Sequence, residues 1–215
     1  SKERERSASL GLIASKVLLE GPLKKKEGSY LVSGRFGYPG VVAGLLGSNL
    51  TSKPQMWFYD VNAKVNRTLD ARNRMFFSLY SGGDHTVFNK LVKGYGMDWG
   101  NATATIRWNH ILNDKTNVNT SAVFSNYYYK YKSLSDGLRY VWKSNMQSYQ
   151  LKSDWERYQN NLLTLKGGVN LHYFTTMPGE VGKSGKDSNI TPSQMPRKSL
   201  WDAALYAEAN YKFLP

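Results

Sequence analysis

Apolar and polar residues alternate with a period of two along most of the chain, most clearly in the stretch Gln55–Tyr80. In the first half of this stretch, one face carries Trp57, Tyr59, Val61, Ala63 and Val65, and the other face is mostly polar. In the second half, Met75, Phe77 and Leu79 repeat the alternation after a short polar segment, Leu69–Asn73. Alternation of this kind indicates half-buried strands, so the stretch is predicted to form a β-hairpin.

The same period predicts nine antiparallel strands in the chain. They are Ser7–Glu20, Ser29–Tyr38, the two hairpin strands, Trp99–Ile111, Thr116–Tyr131, Tyr140–Tyr158, Leu162–Thr176 and Leu200–Phe213. Each strand is expected to pair with its neighbours in sequence. The strand at Trp99 should therefore lie between the second hairpin strand and the strand at Thr116.

The connections after odd-numbered strands are short, and those after even-numbered strands are mostly long, with Ser133–Gly137 as a short exception. Short turns are predicted at Leu69–Asn73, Asn113–Lys115 and Gln159–Asn161, and long loops at Pro39–Pro54, Ser81–Asp98 and Met177–Ser199. Within the first long loop, Val41–Leu46 has the composition of one or two helical turns. Short turns on one side and long loops on the other are typical of a barrel that spans a membrane. A soluble sandwich has no reason to sort its connections in this way.

The six tryptophans favour the same arrangement, because none lies in the middle of a predicted strand. They are Trp57, Trp99, Trp108, Trp142, Trp155 and Trp201. Indole prefers the headgroup level of a bilayer, so the pattern predicts two aromatic girdles.

On this interpretation the two faces of each strand meet different solvents. The residues expected to face lipid are Val61, Ala63, Leu79, Ala104, Ile106, Leu165, Val169, Leu205 and Ala207. The residues expected to face the lumen are Asn62, Lys64, Ser78, Thr105, Arg107, Lys166, Asn170, Tyr206 and Glu208.

Length and composition narrow the alternatives. A chain of 215 residues is expected to be one domain or part of a larger one. It has no apolar run of about 20 residues that would form a transmembrane helix. Ser1–Arg6 is charged and does not resemble a secretory signal. The absence of cysteine excludes a disulfide scaffold and a thiolate metal site within the chain.

The formal charge of +13 raises the possibility of a nucleic-acid-binding protein. However, Lys24–Lys26 is the only basic cluster, and the other basic residues are scattered singly on polar strand faces. This distribution favours a basic barrel interior or solvated loops, and no nucleic-acid partner is predicted. A soluble, basic β-sheet module that binds nucleic acid or glycan is kept as the weakest alternative.

The sequence contains no recognisable catalytic constellation. His85, His110 and His172 lie on three separate segments, which argues against a metal site. Gly82-Gly83-Asp84 lacks the Lys-Ser/Thr pair of a phosphate-binding loop, and no Gly-x-Ser-x-Gly motif is present. The chain is therefore predicted not to be an enzyme and to need no cofactor.

Five phrases resemble the barrel region of TonB-dependent outer-membrane receptors of the Bacteroidetes type. They occur in order at Leu18–Leu23, Ser29–Arg35, Phe58–Lys64, Asn73–Ser78 and Trp99–Asn109. The second half of the chain fits more loosely, by its strand rhythm and by Met177-Pro178-Gly179. These phrases are structural signatures of the family and carry no information about its cargo.

The resemblance implies a barrel of about twenty-two strands around a plug. Nine strands cannot close around a plug, and an open sheet edge is not tolerated in lipid. Residues 1–215 are therefore expected to be part of one such barrel domain, without the plug or the C-terminal strands. The implied function is binding of a solute at the extracellular side and its import with energy transmitted by TonB. A passive pore or a purely structural barrel is the alternative.

The resemblance also implies a set of partners. These are outer-membrane lipids, TonB acting through a plug region outside this chain, a small solute or oligomeric nutrient, and a possible surface lipoprotein. Binding residues concentrate on loops, and inward-facing cations can contact an anionic solute or a plug. Eight residues are therefore candidates for contact with the solute or with the plug. They are Arg35, Tyr38, Asp84, His85, Tyr95, Arg107, Tyr127 and Tyr129.

Overall fold

The computed structural model describes residues 3–23, 27–46, 55–89, 94–135, 138–185 and 188–213. Almost all of them lie in one antiparallel sheet, as the sequence predicted. The elements are β1 Glu5–Leu10, β2 Ala14–Pro22, β3 Gly28–Gly37, α1 Pro39–Leu46, β4 Gln55–Thr68, β5 Asn73–Asn89, β6 Gly94–Asn113, β7 Thr116–Ser133, β8 Tyr140–Tyr158, β9 Leu163–Lys183, β10 Ser193–Gln194 and β11 Lys198–Tyr211. The basic cluster Lys24–Lys26 lies outside the described residues.

The strands follow one another in simple up-and-down order. From β1 to β9 each strand is antiparallel to its neighbour in sequence, and β6 lies between β5 and β7. The short β10 and the long β11 both pair with β9. The predicted pairing of sequence neighbours is therefore confirmed for every long strand.

The prediction of nine strands is wrong at the N-terminal end. Ser7–Glu20, predicted as one strand, is divided into β1 and β2, which pair with each other. A tight turn joins them, in which the Gly11 amide donates a hydrogen bond of 3.0 Å to the Ala14 carbonyl. The sequence signal for this turn is the adjacent pair Leu12-Ile13, which breaks the alternation.

Two predicted loops are also shorter than expected. Most of Ser81–Asp98 belongs to β5 and β6, and β9 continues to Lys183. Glycines made the first of these stretches look like a loop, yet tyrosine rings occupy the space that their missing side chains leave. A Cβ on Gly83 would lie 3.0 Å from Cε1 of Tyr59 and 3.2 Å from the hydroxyl oxygen of Tyr128. Aromatic rings that cover strand glycines in this way stabilise an extended backbone. By contrast, the helical turns predicted at Val41–Leu46 are present as α1.

Strands β5 to β9 are much longer than a bilayer requires. The 20 residues of β6 would extend about 66 Å at ~3.3 Å per residue, and would rise about 47 Å at a tilt of about 45°. The apolar band of an outer-membrane barrel is only about 25 Å tall. These strands therefore reach well beyond such a band.

The sheet has no hydrophobic core within the described residues. No apolar side chain there is buried, and Leu205, Leu79 and Ile106 are 83%, 58% and 47% exposed. The accessible surface is 15033 Å², whereas a compact protein of 24.4 kDa exposes about 10,000 Å². The molecule is thus a single layer, whose apolar face is not covered by any other part of the described chain.

The cross-strand register separates the two faces as the sequence predicted. On one face, Ala63, Leu79, Ala104 and Phe124 lie directly opposite one another on successive strands. On the other face, Lys64, Ser78 and Thr105 do the same. The nine residues expected to face lipid all lie on the first face, called the apolar face, and the nine expected to face the lumen all lie on the second, called the polar face.

The turns at one end of the sheet are short and capped by side chains. In the β4–β5 turn, Asp70 Oδ1 accepts a hydrogen bond of 2.7 Å from the Arg72 amide, and Asn73 Nδ2 donates to both Asp70 oxygens. The Arg72 N–H group is the main cause that lowers the pKa of Asp70, since it stabilises the carboxylate. Asn113 and Asn160 accept backbone hydrogen bonds in the same manner in two further turns.

No helix among the described residues is long and apolar enough to cross a membrane.

Candidate functional site

Ion pairs and amide hydrogen bonds link neighbouring strands across the polar face. Arg35 Nε lies 2.6 Å from Asp60 Oδ2, and Lys166 Nζ lies 3.5 Å from Glu156 Oε1. Gln150 donates a hydrogen bond of 2.8 Å to Asn170. Hydrogen-bonding side chains at this density are suited to a surface in contact with water or with a polar ligand.

The structure places six of the eight candidate residues on the polar face. They are Arg35, Asp84, Tyr95, Arg107, Tyr127 and Tyr129. Residues that lie directly opposite one another on successive strands form a register row. Arg35 and Tyr127 belong to one such row, and Gly82 lies between them in it. Asp84 and Tyr95, predicted in a loop, lie on strands because β5 and β6 extend through that segment.

The other two candidates lie on the side of the apolar face. The Tyr38 hydroxyl donates a hydrogen bond of 2.6 Å to the Gly11 carbonyl, and the ring lies near Phe36. His85 is hydrogen-bonded to Asp98 and stacked on Trp57 at 5.0 Å. Neither residue is brought together with the six on the polar face.

Aromatic residues form a patch on the polar face, at the end opposite the short turns. The patch consists of Phe88, Tyr95, Trp99, Tyr129, Tyr131, Tyr140 and Trp142. Ring centroids are 5.1 Å apart for Phe88 and Tyr95, and 5.5 Å apart for Tyr129 and Trp142. This aromatic patch offers flat apolar surface together with hydroxyl groups, a combination typical of ligand sites.

The prediction that all six tryptophans lie in girdles is wrong for Trp99 and Trp142. Both belong to the aromatic patch, because their register partners Asp84 and Tyr131 lie on the polar face. The period-two spacing of Tyr127, Tyr129 and Tyr131 was a signal in the sequence that could have located the patch.

A girdle is nevertheless present on the apolar face. The row of Phe124, Tyr149, Tyr173 and Trp201 crosses four adjacent strands, with ring centroids 5.1, 6.3 and 4.7 Å apart in turn. Beyond the girdle this face becomes polar, where Lys143 Nζ lies 3.3 Å from Glu180 Oε1. The apolar band therefore ends partway along these strands, which continue beyond it.

A cavity of about 450 Å³ opens on the polar face nearer the short turns. The polar side chains that line it are Lys64, Asn66, Ser78, Thr105, Arg107, Ser121, Gln150 and Lys152. The Arg107 guanidinium lies 4.3 Å from the centroid of the Phe76 ring, which also lines the cavity. This feature is called the basic cavity below.

The three histidines remain on separate strands, where each has its own partner. His110 Nδ1 lies 2.8 Å from Asn73 Oδ1, and His172 Nε2 lies 2.6 Å from Ser148 Oγ. Within the described ranges, no three His, Asp or Glu side chains are grouped so that they could hold a metal ion.

Comparison with known proteins gives likeness in structure only. No protein-family model and no curated protein matches the sequence. The fold is similar to that of BauA, the ferric preacinetobactin receptor from Acinetobacter baumannii, with a TM-score of 0.66 and 11% identity over 94% of this chain. It is also similar to the open form of Fiu, the ferric-catecholate import receptor from E. coli K12, with a TM-score of 0.54 and 8% identity over 98% of this chain.

The chain spans 37% of the length of BauA and 50% of the length of Fiu. Together with the up-and-down order and the two opposed faces, this likeness establishes the fold class. The protein is all-β, with the antiparallel, up-and-down architecture of part of a β-barrel.

Proposed function

We propose that this chain forms part of the wall of an outer-membrane transporter of the TonB-dependent receptor family. The observation that carries the proposal is the single-layer sheet, which has an uncovered apolar face bordered by aromatic rings and a polar face of ion pairs. The likeness in fold to a ferric preacinetobactin receptor and a ferric-catecholate import receptor, and the resemblance of five sequence phrases to the family, support it.

Lipid is the partner that the apolar face requires. In water, side chains such as Leu205 and Leu79 would each forgo roughly 1.5–3 kcal/mol of burial free energy, and the described chain has no second layer to cover them. Lipid tails would cover this face, while the girdle would lie at the headgroup level. In this orientation the short turns are periplasmic and the extended strand ends are extracellular.

The polar face would guide the solute. A solute arriving from outside meets the aromatic patch first and the basic cavity afterwards, since the cavity lies nearer the short turns. The six candidate residues on the polar face would contact the solute or a plug. Energy from TonB would act through a plug region outside this chain, and no covalent chemistry is required of the wall. A surface lipoprotein partner and the Bacteroidetes affiliation rest on the sequence resemblance alone.

Import by this protein is expected to be energised. Cells with the full-length gene and cells deleted for it would be incubated in a defined mixture of small solutes, with and without a protonophore. Depletion of each solute would be measured by mass spectrometry. We expect at least one solute to be depleted only by cells that carry the gene, and only without the protonophore, because energy reaches the outer membrane from the inner-membrane proton gradient.

Two outcomes would contradict this expectation. Gene-dependent depletion that the protonophore does not change would indicate a passive pore. The absence of any gene-dependent depletion, from a mixture that includes the solutes of the native habitat, would indicate a structural barrel.

A further inference from the structure

The basic cavity is positively charged and lacks a carboxylate of its own. Among the described residues, three cations line it, Lys64, Arg107 and Lys152, and no acidic side chain does. Lys152 Nζ lies 3.0 Å from Asp154 Oδ2, but Asp154 lies outside the lining. Within the described part of the chain, the ion pairs leave Lys64 and Arg107 without a carboxylate partner.

The Arg107 guanidinium is held in place by an aromatic ring rather than by an acid. The Phe76 ring contacts two guanidinium groups, with Arg107 at 4.3 Å and Arg74 at 5.0 Å from its centroid. Arg74 is further fixed by a hydrogen bond of 2.8 Å to Asn66 Oδ1. A guanidinium stacked in this way is oriented, while its N–H groups stay available for bidentate contact with a carboxylate or phosphate.

The spacing of the three cations favours a ligand with more than one negative group. Arg107 and Lys152 share one register row and are two strands apart, or about 9–10 Å between their backbones. Lys64 lies in the next row, two strands away on the other side of Phe76. Long side chains at these distances can reach a solute that lies between them, and Ser78, Thr105 and Ser121 supply hydroxyl groups there. The volume of about 450 Å³ lies within the range of small-molecule sites.

We propose that the basic cavity is a binding site for a small polyanion, a solute with two or three carboxylate or phosphate groups. Arg107 contacts one anionic group through its guanidinium, and Lys64 and Lys152 contact the others. The inference rests on the proposed function, because it names the class of solute that would move along the polar face during import. The site itself is a property of the folded protein at equilibrium.

Citrate, acetate and glucose are suitable probes for the site. The full-length protein in detergent would be titrated calorimetrically with each of them. We expect citrate to bind, acetate to bind at least tenfold more weakly, and glucose not to bind. Citrate binding should weaken as the salt concentration rises, because ions screen the exposed cations.

Charge-removing variants locate the site. Arg107→Gln should weaken citrate binding about tenfold or more, since a charge-assisted contact is lost, and Lys64→Gln should weaken it several-fold. Lys166→Gln is the matched control, because Lys166 lies on the same face, pairs with Glu156 and does not line the cavity. It should change citrate affinity less than twofold. Folding of each variant is checked by resistance to heat in gel electrophoresis, and Lys64→Gln and Lys152→Gln carry the test if Arg107→Gln does not fold.

Several results would overturn the site. These are no citrate binding by the folded protein, equal affinity for citrate and acetate, or equal losses in Lys64→Gln and Lys166→Gln. Energised uptake without citrate binding would refute the site and leave transport intact. Citrate binding without any energised uptake would refute transport and leave the site intact.

Discussion

Arg placed at Ala104 should damage the protein severely, whereas Arg placed at the next residue, Thr105, should not. Ala104 lies on the apolar face between Leu79 and Phe124 of the adjacent strands. Along β6 it lies midway between Gly100 and Trp108, and the tilt of the strands separates its depth from that of the girdle residues Tyr149, Tyr173 and Trp201, which continue its row across the sheet. An Arg on the lipid face at mid-bilayer costs about 2–4 kcal/mol. That loss corresponds to a folded-to-unfolded ratio lower by about 30-fold to 900-fold.

Thr105→Arg is the matched control for this effect. Thr105 faces Ser78 and Val123 on the polar face and lines the basic cavity beside Arg107. A further cation there meets mainly screened repulsion in water. The free energy of unfolding of both full-length variants would be measured by denaturant titration in lipid vesicles, together with the heat-resistant fraction in outer-membrane preparations. Equal losses in the two variants would mean that the faces do not meet lipid and water.

The second large effect is expected at Gly168, where β9 packs closely against its neighbours. A Cβ there would lie 2.4 Å from Cε1 of Tyr206 and 2.8 Å from the Ser153 carbonyl oxygen. The ring can move, but the backbone oxygen belongs to the ladder of β8. Gly168→Ala would also displace the Tyr206 hydroxyl, which donates a hydrogen bond of 2.9 Å to Asp154. Overpacking of this kind costs about 1–3 kcal/mol, which we expect as the loss in free energy of unfolding.

The adjacent Gly167 serves as the control. A Cβ there would have one neighbour, the Tyr206 carbonyl oxygen, at an ordinary contact distance of 3.4 Å. Gly167→Ala should therefore leave stability unchanged or raise it by about 0.5–1 kcal/mol, because alanine loses less conformational entropy in a strand. Both variants would be unfolded with urea in vesicles and followed by tryptophan fluorescence. If both lose stability equally, Tyr206 does not cover Gly168 and the register of β9 and β11 is different.

The sequence predicts the pairing of the long strands and the face on which each of their residues lies. Both follow from local rules, since alternation assigns the face of a residue and a short turn such as that at Asp70 brings neighbouring strands together. The turn between β1 and β2 had a visible signal in Leu12-Ile13. This break in the alternation does not distinguish a turn from an irregular strand, because the flanking residues have a strand-like composition.

The outer halves of the long strands were harder to predict, for a physical reason. Beyond the apolar band both faces of the sheet carry polar side chains, such as Lys143 and Glu180, so polarity no longer distinguishes them. Trp99 and Trp142 each lie at the start of a predicted strand, which indicated a girdle, although both side chains belong to the polar face. Gly82 and Gly83 suggested a loop, because nothing local reveals that Tyr59 and Tyr128 cover Gly83. The basic cavity depends on the cross-strand register of β4, β6 and β8, which no single strand displays.

The measurement that tests the two-faced sheet most directly is a spin-label scan of β6 from residue 102 to residue 108. The chain contains no cysteine. A single cysteine introduced here is therefore the only labelling site, once any cysteines in the rest of the full-length protein are replaced. Collision rates of each nitroxide with oxygen, which concentrates in lipid, and with a water-soluble nickel complex would be measured in vesicles that contain the full-length protein. We expect oxygen maxima at Ala102, Ala104, Ile106 and Trp108, and nickel maxima at Thr103, Thr105 and Arg107. Oxygen and nickel rates that rise and fall together, or that show no period of two, would contradict a sheet with lipid on one face and water on the other.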